Sequence, residues 1–330
     1  MILAGDIGGT KTALALADPR DPARVIREQA FPSARYGSLE AIVDEFLASE
    51  RPPLFAAAFG VAGPIEDGVA NITNLPWTID TRALSGKLGA PVSLLNDVQA
   101  TALGMLGLPA TSFVELQPGR ARDRGTIAVI APGTGIGTSL LVWAGDRYLA
   151  LPSEAGHADF APNSDDEVEL WRFLRARHGG HVSVERVVCG SGIVDLYAYA
   201  RTQRGDAEPA WLTEALASSD RAAVIGQAAL ADRDPACVHA IALFAATLGA
   251  EAGNAALRGL AHGGVIIGGG IPPKLLPALQ HGSTIERFCA KGRFEPWLRS
   301  LPVRICLDSR AALVGAVHSA VQIVATKEAP

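Results

Sequence analysis

Two stretches of the chain follow the same plan. Residues 3–18 read LAGDIGGTKTALALAD and residues 127–144 read IAVIAPGTGIGTSLLVWA: an apolar run, a glycine-rich turn holding a threonine, then a second apolar run. Each reads as strand, turn and strand, because β-compatible residues flank a glycine break. A glycine turn also leaves backbone N–H groups bare, where they can face an anion. A single turn of this kind is accounted for by a plain β-hairpin. Two in one chain predict two domains with related cores, and a cleft that holds a polyphosphate from both sides. Gly133, Thr134, Gly135 and Gly137 then occupy the place of Gly8, Gly9 and Thr10.

Two other phosphate motifs do not fit. The chain contains no G-x-x-x-x-G-K-[ST], so a P-loop is absent. A dinucleotide fingerprint needs its glycines between a strand and a helix. Here TALALAD is short and stops at Asp18–Pro19, which favours a second strand.

A length of 330 residues makes two domains the default. With 48% hydrophobic and 19% charged residues, the chain belongs with folded globular proteins. Its net charge of −5 argues against nucleic acid or an anionic membrane as main partner. The one charged run, RARDRG at 120–125, reads as a solvated loop. Cys189, Cys237, Cys289 and Cys306 lie far apart with no C-x-x-C pair, which excludes a zinc ribbon and gives no disulfide framework. Reduced thiols suit the cytoplasm, and the N-terminus shows no export signal. The most apolar stretch, Pro235 to Leu257, reads as a buried helix packed through small residues.

Other elements follow from pattern. Helices are expected over 38–49, 98–106, 191–204 and 311–324, and strands over 54–61, 91–95 and 265–267. Ser164 and Glu167 form a capping box for a helix running to Arg177. Asp234–Pro235 opens the long alanine-rich helix. A further helix is expected after Pro272–Pro273.

Four places could carry chemistry. Asn96–Asp97 follows the strand VSLL and opens a helix, as an ordinary N-cap or as a general base at a strand end. In Ser153-Glu154-Ala155-Gly156-His157, Pro152 and Gly156 argue for a loop, and a metal site lacks further His or Cys ligands nearby. A carboxylate beside an imidazole suits vicinal hydroxyls, although a solvated loop pair is equally open. Glu185 could pair with Arg186 or start a helix. Gly268, Gly269 and Gly270, between a strand and a helix, would let a flat ring or phosphate approach the backbone.

These segments together resemble the bacterial glucokinases of the hexokinase, actin and heat-shock chaperone ATPase superfamily. The resemblance runs nearly end to end, through GDIGGTKT, LLND, APGTGIGTSLL, LPSEAGHADFAPNS, VSVERVVCGSGIVDLY and VIIGGGIPPK. SEAGHADFAP is its most specific part. The related ROK sugar kinases carry a cysteine-rich zinc motif after the equivalent histidine, and this chain has none.

The resemblance implies an α/β, two-domain actin-like ATPase (ribonuclease H-like) fold with a ligand cleft between the domains. Residues 1–107 plus 308–330 would form the smaller domain and 108–307 the larger. The implied activity is ATP-dependent phosphorylation of D-glucose to glucose 6-phosphate, the entry to glycolysis. Asp97 would be the catalytic base, and Asn96, Asp97, Glu154, His157 and Glu185 would bind the sugar. Asp6, Gly8, Gly9, Thr10, Gly133, Thr134 and Gly135 would surround the ATP phosphates, with Asp6 holding Mg²⁺ through water. Gly268, Gly269 and Gly270 would face the adenosine. A cytoplasmic homodimer with no nucleic-acid or membrane partner is implied as well, and Lys11 takes no role. The alternatives are a kinase for mannose, fructose or an N-acetyl sugar, a sugar-responsive repressor, and a filament or chaperone ATPase. The repressor would need an N-terminal helix-turn-helix, for which a phosphate motif at Asp6 leaves no room. The last would not need SEAGH.

Overall fold

The opening stretch folds as a hairpin. In a computed structural model that describes residues 1–72 and 74–328, β1 (Ile2–Ile7) and β2 (Lys11–Asp18) pair antiparallel, with Asp6 opposite Ala13 and Ile7 opposite Thr12. The chain continues through β3 (Asp21–Pro32), α1 (Leu39–Leu47), β4 (Ala56–Val61), β5 (Ile65–Glu66), β6 (Val69–Asn71), β7 (Thr78–Asp80), α2 (Thr81–Leu88), β8 (Val92–Asn96) and α3 (Asp97–Gly107). The main sheet runs β3-β2-β1-β4-β8, with β4 parallel to both β1 and β8, while β5, β6 and β7 form a small sheet of their own. Such an order places the C-terminal ends of three parallel strands side by side.

Helix α1 shows why these elements form. Its Ser38 cap accepts from the Ala41 N–H at 3.4 Å. Leu39, Ile42, Val43, Phe46 and Leu47 recur at helical spacing and are all buried against the sheet. The chain separates into two compact units. The first comprises Met1–Ser112, Ala144–Pro152 and Asp308–Pro330, and the second Phe113–Trp143 and Ser153–Leu307.

Within the second unit come β9 (Phe113–Gln117), β10 (Ile127–Pro132) and β11 (Ile136–Trp143). Next is β12 (Tyr148–Ser153), most of which groups with the first unit. Then follow α4 (Asp165–His178), α5 (Gly190–Arg204), α6 (Ala210–Ser218), α7 (Arg221–Leu230), α8 (Pro235–Gly259), β13 (Gly264–Ile267) and, after short helical turns, β14 (Val303–Cys306). The strands lie in the order β11-β10-β13-β14-β9, with β13 parallel to β10 and β14. The antiparallel β10–β11 pair repeats the β1–β2 pair, and β13 and β14 repeat β4 and β8.

Helix α8 is long and apolar enough to cross a membrane by length and composition, yet 72% of its most apolar window is buried inside the protein. Two adjacent prolines delay the helix expected after them. Residues 271–275 form turns, and only Leu276–Gln280 is helical.

In the first unit the C-terminal helix (Ala311–Glu328) crosses α3 at close range. A Cβ on Gly104 would lie 1.7 Å from the Ala311 carbonyl oxygen, and one on Gly315 would lie 1.7 Å from that of Ala100. Only glycine fits at either position. Gly104→Ala is expected to destabilise the protein by about 1–3 kcal/mol through overpacking. Gly86→Ala, in α2 with open space around it, is expected to stabilise by about 0.5–1 kcal/mol through helix propensity. Urea denaturation of the two variants checks the opposite signs.

Candidate active site

In the first unit, Asp6 is the last residue but one of β1, and the turn Gly8-Gly9-Thr10 follows at once. Gly8 N–H donates to the Lys11 carbonyl at 3.0 Å. Buried Ser33, just past β3, ties the turn down: its hydroxyl donates to the Gly8 carbonyl at 2.7 Å and its N–H to the Thr10 carbonyl at 3.0 Å. Thr12 Oγ1 lies 2.9 Å from Ser33 Oγ. The carbonyls are thus occupied, and no described residue takes the Gly9 or Thr10 N–H. Neither Gly8 nor Gly9 is among the glycines with positive φ. Their use is to leave donors uncovered, not to reach the left-handed region.

Asn96 and Asp97 stand where β8 becomes α3. Asn96 is the N-cap: its Oδ1 accepts from the Val98 N–H at 2.9 Å, and Gln99 Oε1 accepts from the Asn96 N–H at 3.2 Å, which completes a capping box. Asp97 is the first helical residue, and its own Oδ1 also accepts from the Val98 N–H at 2.9 Å. The cap uses only the amide oxygen of Asn96, so its NH₂ group is available to a ligand. Burial, then the nearby Asp97 charge, push the Asp6 carboxyl up to about 6, while Lys11 pulls it the other way.

In the second unit, Glu154 precedes a short 3-10 turn, Ala155–His157, and Glu185 lies in another, Val184–Arg186. Glu185 Oε2 accepts from the Ile136 N–H at 3.0 Å. A Cβ on Gly135 would lie 2.4 Å from that same oxygen, so the glycine admits the carboxylate. His157 stands between two acids, with Nδ1 3.9 Å from Glu185 Oε1 and Nε2 3.9 Å from Glu154 Oε2. Glu154 is 84% exposed and His157 63%, so these groups face outward and are free to meet a ligand. Glu185 does not pair with Arg186.

The loop Gly133-Thr134-Gly135 closes on itself, Gly133 N–H donating to the Gly135 carbonyl at 2.7 Å. The Gly133 carbonyl accepts from Gly190 N–H at 2.9 Å, which joins the loop to the start of α5. A cavity of about 880 Å³ opens beside it, large enough for a nucleotide. Gly133, Thr134, Gly190, Ser191, Gly270 and Lys274 are among its lining residues. Gly268 and Gly269 are not; they stand behind it. Gly268 N–H donates to the Ile130 carbonyl at 2.7 Å, and a Cβ on Gly269 would lie 2.3 Å from the Pro132 carbonyl oxygen.

Gly190, Ser191, Asp220 and Arg221 line the same cavity and were not expected from the sequence. The signal for the first pair was the Cys-Gly-Ser-Gly run after an apolar stretch. Cys189 is the N-cap there, its Sγ accepting from the Gly192 N–H at 3.3 Å, and a helix start presents free N–H groups.

Comparison with known proteins yields one family over nearly the whole chain: the glucokinase family profile matches residues 3–323. The glucokinase of Nostoc punctiforme is 40% identical over 339 residues, covering 98% of this chain and 99% of that protein. A crystal structure of a glucokinase from an Antarctic psychrotroph superposes with a TM-score of 0.84 at 31% identity, covering 97% of this chain and 98% of the other. A ROK family glucokinase from Streptomyces griseus, solved in complex with glucose and AMPPNP, shares the fold at a TM-score of 0.63 and 21% identity, covering 97% and 99% of the two chains. The fold is the two-domain actin-like ATPase α/β fold.

The raised Asp6 carboxyl gives stability a pH dependence whose sign is set. The folded chain holds this proton to about pH 6, while the unfolded chain releases it near the ordinary 3.8. The folded state therefore binds more protons in that window, and its stability falls as pH rises through it. At about 1.4 kcal/mol per pH unit the full effect is about 3 kcal/mol, an upper bound. Thermal melts from pH 4 to 7, without nucleotide or divalent cation, should show wild type losing stability relative to Asp6→Asn. Parallel pH curves would refute this.

Proposed function

The chain belongs to the glucokinase family and is a glucose-phosphorylating kinase that uses ATP; we propose that Asp97 is its general base and that the groups described above divide the two substrates between them. One observation carries the assignment of residues: the bond between Glu185 and the Ile136 N–H, directly after the Gly133–Gly135 loop. It puts a carboxylate able to accept from a sugar hydroxyl against a loop whose free N–H groups suit phosphates.

In this reading Glu154, His157, Glu185 and the NH₂ of Asn96 bind the sugar hydroxyls. Asp97 sits at the start of α3, where the peptide dipoles favour negative charge. It takes the proton of the 6-hydroxyl as that oxygen attacks the γ-phosphorus, and ADP leaves with the electron pair of the breaking bond. Phosphoryl transfer mostly requires positioning and charge neutralisation. The turns at Gly8–Thr10 and Gly133–Gly135 supply donors to the phosphates, and the 880 Å³ cavity, with Gly270 on its wall, receives the adenosine.

The residues also suit Mg²⁺. Asp6 offers hard carboxylate oxygens at a buried position where its own ionisation is opposed by Asp97, a conflict that a divalent cation relieves. Asp6 would hold Mg²⁺ through water, and the bound cation would neutralise phosphate charge. We also infer a cytoplasmic homodimer. The four cysteines are buried and form no disulfide, which suits a reducing compartment; the dimer rests on family resemblance.

Asp97→Asn is expected to keep glucose binding while losing about 10²–10⁴-fold in turnover. More than about a tenth of the wild-type rate would remove the base assignment. Glu154→Gln and His157→Ala should each weaken glucose binding by about 1–3 kcal/mol and leave ATP binding nearly unchanged. Titration calorimetry separates the two ligands. Product mass from glucose, mannose, fructose and N-acetylglucosamine tests the sugar itself.

A further inference from the structure

Gln99 is the third residue of α3, where a capping box places Glu or Gln. Its side chain does two things at once. Oε1 accepts from the Asn96 N–H at 3.2 Å, and Nε2 donates to the Ala150 carbonyl of β12 at 2.9 Å. A glutamate would serve the box equally well, and by the same geometry. It could not serve Ala150, because a carboxylate has no proton to give and would meet the carbonyl oxygen repulsively. Only an amide satisfies both neighbours.

We propose that Gln99 is a positioning residue for the phosphoryl-transfer step, fixing Asn96 and Asp97 against β12. The inference rests on the reading of Asp97 as base. The side chain touches the backbone N–H of Asn96, one residue before that base, so a shift of the Gln99 amide moves the start of α3 directly. Its other contact, Ala150, lies on the strand that runs on to Ser153 and Glu154. Ser153 Oγ in turn accepts from the Ala155 N–H at 3.1 Å and from Thr138 Oγ1 at 3.1 Å. One amide therefore ties the backbone just before Asp97 to the backbone at Ala150. Proton transfer and in-line attack are sensitive to placement on the scale of an ångström.

Three variants separate placement from mere capping. Gln99→Glu keeps the box acceptor and loses the donor to Ala150. Gln99→Met keeps the length of the side chain without either group or any charge. Gln99→Ala removes all of it. Melting temperature, kcat and KM for glucose and ATP are measured for each. The expected result is that Gln99→Glu melts close to wild type while its kcat falls by about tenfold or more, with both KM values within about twofold. Gln99→Met should lose kcat similarly, which separates a lost donor from an added charge. A Gln99→Glu enzyme with wild-type kcat would overturn the proposal and leave Gln99 as a cap alone. So would a kcat loss confined to Gln99→Glu, since that assigns the effect to charge. Asp97→Asn is run in parallel. If it stays active, the base assignment fails on its own evidence, and the Gln99 series then still reports whether the start of α3 governs turnover.

Discussion

Two carboxylates at one end of a sheet set the terms for the first unit. Strands β1, β4 and β8 run parallel, so their C-terminal ends lie together, and Asp6 and Asn96–Asp97 occupy the outer two. Between them β4 offers Gly60 opposite Asp6 and Val61 opposite Asn96. A Cβ on Gly60 would lie 2.8 Å from Cβ of Ala100, so the glycine lets α3 settle onto the sheet. Burial then denies Asp6 its water, and Asp97 adds like charge. A sheet selected for stability alone would place apolar residues at such a position. The unfavourable electrostatics suit the cation site proposed there, since a divalent cation offsets both carboxylates.

The second unit solves a different problem with the same hairpin. Aligning Gly133 with Gly8 puts Ala131 where the first copy has Asp6 and Pro132 where it has Ile7. No carboxylate precedes the second turn. An acid instead enters from the side, where Glu185 accepts from the Ile136 N–H just after the turn. One repeat keeps acid and donors on the same hairpin, and the other supplies donors and borrows the acid from a segment some fifty positions on. Shared topology with divergent charge suits the proposed division, in which one unit serves phosphate and cation and the other phosphate and hydroxyls.

What could be read from the sequence, and what could not, follows the range of the forces involved. Both hairpins, the cap and proline at Asp234–Pro235 and the burial of α8 are local matters of pattern, turn chemistry and hydrophobicity, and each has its expected form. The N-terminus of α3 was legible only to within a residue. Asn and Asp are both good caps, and the choice of Asn96 depends on Gln99 reaching back to its N–H. Contacts between distant segments were beyond pattern reading. Nothing near Glu185 announces Gly135, and nothing near Gly133 announces Gly190. The split within Gly268–Gly270 was hidden too, because only the approach of β10 shows that Gly269 faces the Pro132 carbonyl while Gly270 lines a cavity.

The placement of Asp97 draws on more of the chain than its neighbours suggest. Ala100, one turn along α3, is fully buried and held from two sides. Gly60 of β4 meets its Cβ, and Gly315 of the C-terminal helix meets its carbonyl oxygen. Neither glycine could carry a side chain without pushing α3 along or away from the sheet. Gln99 fixes the same turn from a third direction through Ala150. A helix start clamped this way has little freedom to relax when a ligand binds. Such a start suits the base proposed there, because preorganised electrostatic catalysis requires charge to be met without rearrangement. The last helix of the chain, more than two hundred residues after Asp97 in sequence, thus helps to hold the start of α3, where the base is proposed.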